Sequence, residues 1–315
     1  MRILAVWLSS HFDTDRANRF ERAPMDEACL PPLANPRTPH VRTPARACDS
    51  HFHIFGPVSR FPYSPERAYT PPQAPLEALL AMHARLGFER GVVVQGNAHG
   101  TDNSALLDAL QREPERLRAV AIVKEGTTRE ELQRMAQAGV RALRFHHQPR
   151  QAGTYSGLGF SAFEKLAPHM ADLGLHAQFF MDARALPELM HRLQGWKLPV
   201  VLDHFGSTRA AEGVAAPGFQ ILRQFLSDGR IWIKISGAYR ASTQYPDYQD
   251  ARPLHEALLS ANPDQLLWGT DWPHPRLEKD MPDTGHLLDL FNHWTPEAAQ
   301  RKKVLVDNPA RLYGF

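Results

Sequence analysis

The eleven residues Ala47-Cys48-Asp49-Ser50-His51-Phe52-His53-Ile54-Phe55-Gly56-Pro57 decide how the rest of this chain is read. Their alternation is that of a short strand, which Gly56-Pro57 breaks. Residues two apart on a strand point to the same side, so His51 and His53 project together. Two imidazoles side by side are costly to bury without partners. Either histidine alone is accounted for as a satisfied or surface residue. The pair, on an apolar strand running into a Gly-Pro break, points to a functional site, with a metal cage as one of its meanings.

Downstream of residue 46 the same kind of strand recurs at regular intervals. Strand patterns fall at 47–54, 91–96, 118–123, 140–146, 175–180, 199–204, 231–236 and 265–271. Helical periodicity occupies 75–86, 103–112, 128–138, 160–173, 183–194, 217–228, 250–260 and 283–293, with Leu76, Leu79, Leu80 and His83 showing the apolar spacing. Gly87, Gly139 and Gly174 stand where helices end. Eight strands alternating with eight helices predict a single-domain α/β fold, a (β/α)8 TIM barrel over residues 46–315. A doubly wound sheet is the competitor, but no glycine-rich phosphate loop follows the first strand.

Residues 1–45 read differently. Met1 to Leu8 carries an apolar run of six residues without a clean cleavage site and reads as a non-secretory extension. From about residue 9 the chain is polar, with Pro24, Pro31, Pro32, Pro36, Pro39 and Pro44, as expected of a flexible arm rather than a packed element. Met25 is a second candidate for the translation start.

Composition narrows the function classes. Of the 315 residues 43% are hydrophobic and 22% charged, and the formal net charge is +2, which gives no reason to expect nucleic acid or an anionic membrane as partner. The two cysteines, Cys29 and Cys48, suggest no disulfide framework and lead to the expectation of a cytoplasmic protein.

In such a barrel catalytic groups belong at the carboxyl ends of strands. Those positions hold His51 and His53, Gln95 to Asn97, Arg144 (with Arg150 in the loop beyond), Gln178 and Phe180, Asp203 and His204, Arg240, and Asp271. Singly, Asp203 reads as an ion-pair partner, Arg144 as a salt bridge and Asp271 as a helix cap. Together, on one face, they read as a site. Three histidines and Asp271 could bind zinc. However, the middle strands offer arginine, glutamine and phenylalanine where further ligands would be needed, while His176 lies at the start of its strand. Arg144, Arg150 and Arg240 around one mouth would suit a carboxylated small molecule, because guanidinium forks pair bidentately with carboxylates.

The chain resembles the amidohydrolase superfamily (amidohydrolase family 2), specifically the lactonase branch typified by 2-pyrone-4,6-dicarboxylate lactonase. The resemblance spans residues 46–315. It rests on Asp49 to Pro57, Tyr63 to Pro72, Gly100-Thr101-Asp102-Asn103, Gly139 to Phe145, Leu202-Asp203-His204-Phe205-Gly206, Lys234-Ile235-Ser236-Gly237, Gly269 to Pro275 and Asn308 to Tyr313. It implies hydrolysis of an anionic lactone without a bound metal or other cofactor. Carried over, Asp271 is the general base for water, and His51, His53 and His204 polarise the lactone carbonyl. Arg144, Arg150, Arg240 and Tyr69 hold substrate carboxylates, with Asn97 near them. Gln178 or Phe180 stands where a tyrosine is expected. The alternatives are a sugar-acid lactonase or lactone isomerase of the same branch, or a zinc-dependent hydrolase or decarboxylase with zinc at His51, His53, His204 and Asp271. A non-catalytic binding barrel is the remaining class.

Overall fold

The computed structural model describes residues 29–147 and 159–315. Eight parallel strands run in chain order: β1 Cys48–Phe52, β2 Arg90–Val94, β3 Leu117–Ala121, β4 Val140–His147, β5 His176–Met181, β6 Val200–Leu202, β7 Trp232–Lys234 and β8 Leu266–Leu267. Each sequence-predicted strand is present. Backbone bonds from Ser50 N–H to Trp268 O (3.0 Å) and from His53 N–H to Trp272 O (2.8 Å) bring the last strand against the first, giving the (β/α)8 barrel. Gly269 makes this closure possible, because a Cβ there would overlap the His51 backbone nitrogen.

The outer helices are α1 Leu76–Leu86, α2 Ser104–Arg112, α3 Arg129–Gln137, α4 Phe160–Asp172, α5 Leu186–Arg192, α6 Pro217–Ser227, the single turn α7 Ala238–Ala241, α8 Arg252–Ala261 and α9 Thr284–Trp294. Local chemistry sets their ends. Thr128 and Glu131 form a reciprocal capping box at the start of α3. Gly87 closes α1 in the left-handed conformation. Two helices that periodicity did not single out follow, α10 Ala298–Lys302 and α11 Asn308–Tyr313. The second plugs the base of the barrel. Tyr313, fully buried, packs with Val92, Val94, Val120, Val201 and Leu267 inside the barrel and lies against the His176 ring at 5.2 Å. His176 is thus at the end remote from the strand carboxyl termini, as expected.

The described part of the N-terminal arm departs from expectation. Residues 29–45 are not a free tail: Cys29 is buried and donates its N–H to Thr70 O, and Leu30 donates to Leu277 O. Further on, the Arg37 and His40 amides donate to the Asp283 and Asp289 carboxylates of the α9 region. Prolines alone do not make a chain flexible when its amides find acceptors on a neighbouring surface. Residues 1–28, including Met25, lie outside the described residues. Gly285 has the Arg37 carbonyl where a Cβ would stand. Gly285→Ala is therefore expected to lift the arm, raising amide exchange at residues 29–40 by about tenfold, equivalent to roughly 1.4 kcal/mol of lost protection. Unchanged exchange in a hydrogen–deuterium experiment would refute this docking.

Candidate active site

The carboxyl ends of β1, β6 and β8 converge on one cluster. Asp271 donates its backbone N–H to His51 O (2.7 Å), which places it beside β1 and not across the barrel from it. Its Oδ1 faces three imidazoles: His53 Nε2 at 3.3 Å, His51 Nε2 at 3.7 Å and His204 Nε2 at 3.7 Å. Its Oδ2 accepts from Tyr239 Oη and Arg240 Nε, both at 2.5 Å. One carboxylate oxygen is thus held and the other is directed into the histidine cluster.

The backbone is strained where it carries these groups. Asp271 has φ +57°, His204 +45° and His274 +59°, a region that side-chain-bearing residues avoid at a cost of about 1–3 kcal/mol each. A buried brace maintains it. Asp49 accepts from the Thr270 amide (2.8 Å), the Thr270 hydroxyl (2.6 Å) and His83 Nε2 (3.2 Å), tying β1 and α1 to the turn that bears Asp271.

Beneath the cluster lies a second polar layer. Period-2 alternation turns Arg144, Gln178, Asp203 and Lys234 inward from β4, β5, β6 and β7. Arg144 donates to Asp203 Oδ2 through Nε and Nη2 (3.2 and 3.0 Å) and to Gln95 O. Gln178 Nε2 donates to Asp203 Oδ1 (2.8 Å). Lys234, fully buried, donates to Gln178 Oε1 (2.7 Å) and Ser50 O (2.8 Å). Lys234 and Asp49 stand in motifs quoted from the sequence, yet neither was assigned a role there. A lysine or aspartate on an apolar strand was the available signal.

Charge states follow from burial and neighbours. Burial by itself would raise Asp271, but Arg240 and the imidazoles hold its carboxyl well below the usual carboxylate range. Asp203 is likewise held low against burial, with Arg144 and Lys234 as its permanent cationic neighbours. Burial brings His204 down to about 4 and Lys234 down to about 8, and it lowers His51 well below an ordinary histidine. Near neutrality the site holds two carboxylates, His51 and His204 as neutral rings, and protonated Lys234. His53 donates Nδ1–H to Val94 O (2.7 Å), so in the neutral ring Nε2 presents a lone pair toward Asp271.

Burial of imidazoles also sets acid stability. His176 and His255 are both brought down to about 3 by burial. The unfolded chain, with histidines near 6.5, then binds more protons between pH 6.5 and 3. Each residue therefore contributes stability that is fully present above pH 6.5 and falls by about 1.4 kcal/mol per pH unit below it. Denaturant midpoints that stay level from pH 7 to 5 would contradict this.

The other expected residues take these places. Tyr69 is buried, packs edge-on to Phe55 at 6.4 Å and lies within electrostatic reach of Arg276, Arg144 and Arg240. Asn97, in the turn after β2, contacts His146 Nδ1 through Nδ2 (3.2 Å). Phe180 lines the mouth, 6.0 Å from His204 and beneath the Arg144 guanidinium. Arg150 lies outside the described residues. Arg144 and Arg240, read as clamps for substrate, prove to be paired with Asp203 and Asp271. Arg276, which sequence reasoning passed over, covers the Tyr69 ring at 5.9 Å. His51, His53 and Asp271 offer donor atoms within 4.8 Å of one another, and His51, Asp203 and His204 do the same. Among the described residues His51 Nε2 and Asp271 Oδ1 have no hydrogen-bond partner, so this set is spatially compatible with one cation.

Strand order, the H-x-H of β1 and the aspartate after β8 are those of an amidohydrolase. The chain belongs to that family, whose model matches residues 48–315. Among its relatives, the 4-sulfomuconolactone hydrolase of Rhizobium radiobacter is 40% identical, over 92% of this chain and 99% of the relative. The 2-pyrone-4,6-dicarboxylate hydrolase of Comamonas testosteroni is 38% identical, over 94% and 98%. A crystal structure from Pseudomonas putida, provisionally assigned as a 2-pyrone-4,6-dicarboxylic acid hydrolase, superposes with a TM-score of 0.73 at 32% identity, covering 86% of this chain and 98% of that one. This chain is accordingly a hydrolase, and among the described residues no helix is long and apolar enough to cross a membrane.

Proposed function

We propose that this chain hydrolyses a small anionic lactone, of the pyrone-dicarboxylate or sulfonated-muconolactone kind, with a water activated by Asp271 and no resident metal ion. The observation that carries this reading is the charge of the site. Two buried cations, Arg144 and Lys234, and the partly buried Arg240 surround two buried carboxylates, Asp203 and Asp271. With His51 and His204 neutral, that set has an excess of positive charge, which an anionic substrate offsets and a divalent cation would increase. The relatives named for carboxylated and sulfonated lactones support the same choice over a sugar lactone.

The chemistry follows from the geometry. An attacking water donates one proton toward Asp271 Oδ1 and the other toward the His53 Nε2 lone pair, which orients its oxygen. Imidazole N–H groups of His51 and His204 donate to the carbonyl oxygen as it becomes an oxyanion. Asp271 takes the water proton as the C–O bond forms. When the tetrahedral intermediate opens, the ring oxygen leaves and receives that proton. The products are a hydroxyl or enol group and a carboxylic acid, which ionises to the carboxylate by releasing the second water proton to solvent. Cys29 and Cys48 are both free thiols, and a cytoplasmic location is part of the proposal.

The donor set of His51, His53 and Asp271 favours a second reading, in which a divalent cation held there supplies Lewis-acid polarisation. The test is hydrolysis of pyrone-dicarboxylate, muconolactone and sugar lactones by the purified protein, before and after chelation, with metal analysis of the same sample. Turnover of an anionic lactone that survives chelation is expected. Stoichiometric metal whose removal abolishes activity would replace the first reading by the second.

A further inference from the structure

We propose that Lys234 is a positioning residue that fixes His51 in the tautomer bearing its proton on Nε2, so that His51 faces the site as an N–H donor. The inference rests on the lactonase reading and deepens it by assigning the donor.

The argument is one of hydrogen-bond accounting. A neutral imidazole has one N–H and one lone pair, and the partner of one nitrogen decides the other. His51 Nδ1 has two candidates: Lys234 Nζ at 3.2 Å, which can only donate when protonated, and Asp203 Oδ1 at 3.2 Å, which can only accept as a carboxylate. The surrounding bonds favour Lys234, whose ammonium, 3.2 Å from Nδ1 and 3.9 Å from Asp203 Oδ1, offsets the cost of setting the Nδ1 lone pair beside that carboxylate oxygen. Asp203 Oδ2 is occupied by Arg144, and Oδ1 accepts from Gln178 Nε2. That bond orients the Gln178 amide, leaving Oε1 to accept from Lys234. Lys234 has three N–H groups in a fully buried setting. Two go to Gln178 Oε1 and Ser50 O, and the third has His51 Nδ1 within reach. Three donors thus meet three acceptors. If His51 instead donated Nδ1–H to Asp203, a buried ammonium proton would face another N–H, at the cost of an unsatisfied donor. With Nδ1 accepting, His51 Nε2 carries the proton and points toward the carbonyl oxygen's expected position. A proton there leaves no lone pair for a cation, so the arrangement also separates the two readings of the site.

Nitrogen-15 NMR of histidine-labelled protein reads the tautomer directly, with the His51 signals assigned from a His51→Asn spectrum. The wild-type protein is expected to show neutral His51 protonated on Nε2. In Lys234→Met the proton should move to Nδ1, toward Asp203. That variant should also lose kcat by about a hundredfold or more while KM changes little, as for removal of one oxyanion donor. A wild-type His51 protonated on Nδ1 overturns the proposal, as does a Lys234→Met protein with unchanged tautomer and kcat. Should that variant not fold, the wild-type spectrum alone decides. Absence of lactone turnover would remove the lactonase reading yet leave the tautomer measurable, so the two failures are distinguishable.

Discussion

Asp271→Asn is expected to lower kcat by about 10³-fold or more, with KM for an anionic lactone changed only a few-fold. General-base catalysis contributes on the order of 10²–10⁴-fold, and an amide of the same shape cannot accept the water proton. The geometry explains why KM should be spared. Oδ2 holds Tyr239 and Arg240, contacts that an asparagine oxygen can partly retain, whereas Oδ1, directed at the three imidazoles, performs the chemistry. The variant still leaves the partly buried Arg240 with a weakened counter-charge, so loss of stability must be checked by thermal unfolding alongside kinetics. A variant with wild-type kcat would dismiss Asp271 as the base. One that unfolds would leave the question to Asp271→Glu, which keeps the charge and displaces the oxygen, and which should also lose kcat.

The second large effect concerns Arg240. Before the fold is known, this residue reads as a simple clamp for a substrate carboxylate. In the structure it already donates to Asp271 Oδ2 at 2.5 Å, and that carboxylate in turn holds the guanidinium above its usual range although burial works against its charge. It therefore acts on both substrate and base. Arg240→Met should raise KM for a dianionic lactone by about 30- to 100-fold, the worth of one charge-assisted bond of roughly 2–3 kcal/mol. It should also shift the acid limb of kcat/KM to higher pH. The sign follows from the pairing: Arg240 lowers Asp271, its removal raises Asp271, and the carboxylate is then protonated at a higher pH. Arg240→Lys is expected to restore little, because an ammonium cannot reproduce the planar fork. An unaltered KM would end the binding role, and an unmoved acid limb would end the influence on Asp271.

Much of this architecture is legible without coordinates because its signals are local. The strand period of two, the helical period and the glycines at Gly87, Gly139 and Gly174 depend on neighbours in sequence, and the barrel follows from their alternation. His51, His53, His204 and Asp271 were identifiable since strand-end polar residues are few. Placement of Asp271 was not. Its position beside β1 is set by bonds between residues more than two hundred positions apart, Asp271 N–H to His51 O and Ser50 N–H to Trp268 O. The arm was misread for the same reason, as its acceptors at Thr70, Leu277, Asp283 and Asp289 are remote in sequence.

The sequence by itself determined which side chains gather on the carboxyl side of the barrel: His51, His53, His204, Asp271, Arg144 and Arg240, carried by the strands or by the segments that follow them. Only the tertiary structure decided what each is paired with. Arg144 meets Asp203, Arg240 meets Asp271, and Lys234, a single charge on an apolar strand, reaches His51 across the interior. The physical reason is that identity and facing direction depend on the local backbone, whereas protonation and hydrogen-bond partnership depend on which charges the closed barrel brings within about 3 Å in a water-poor interior.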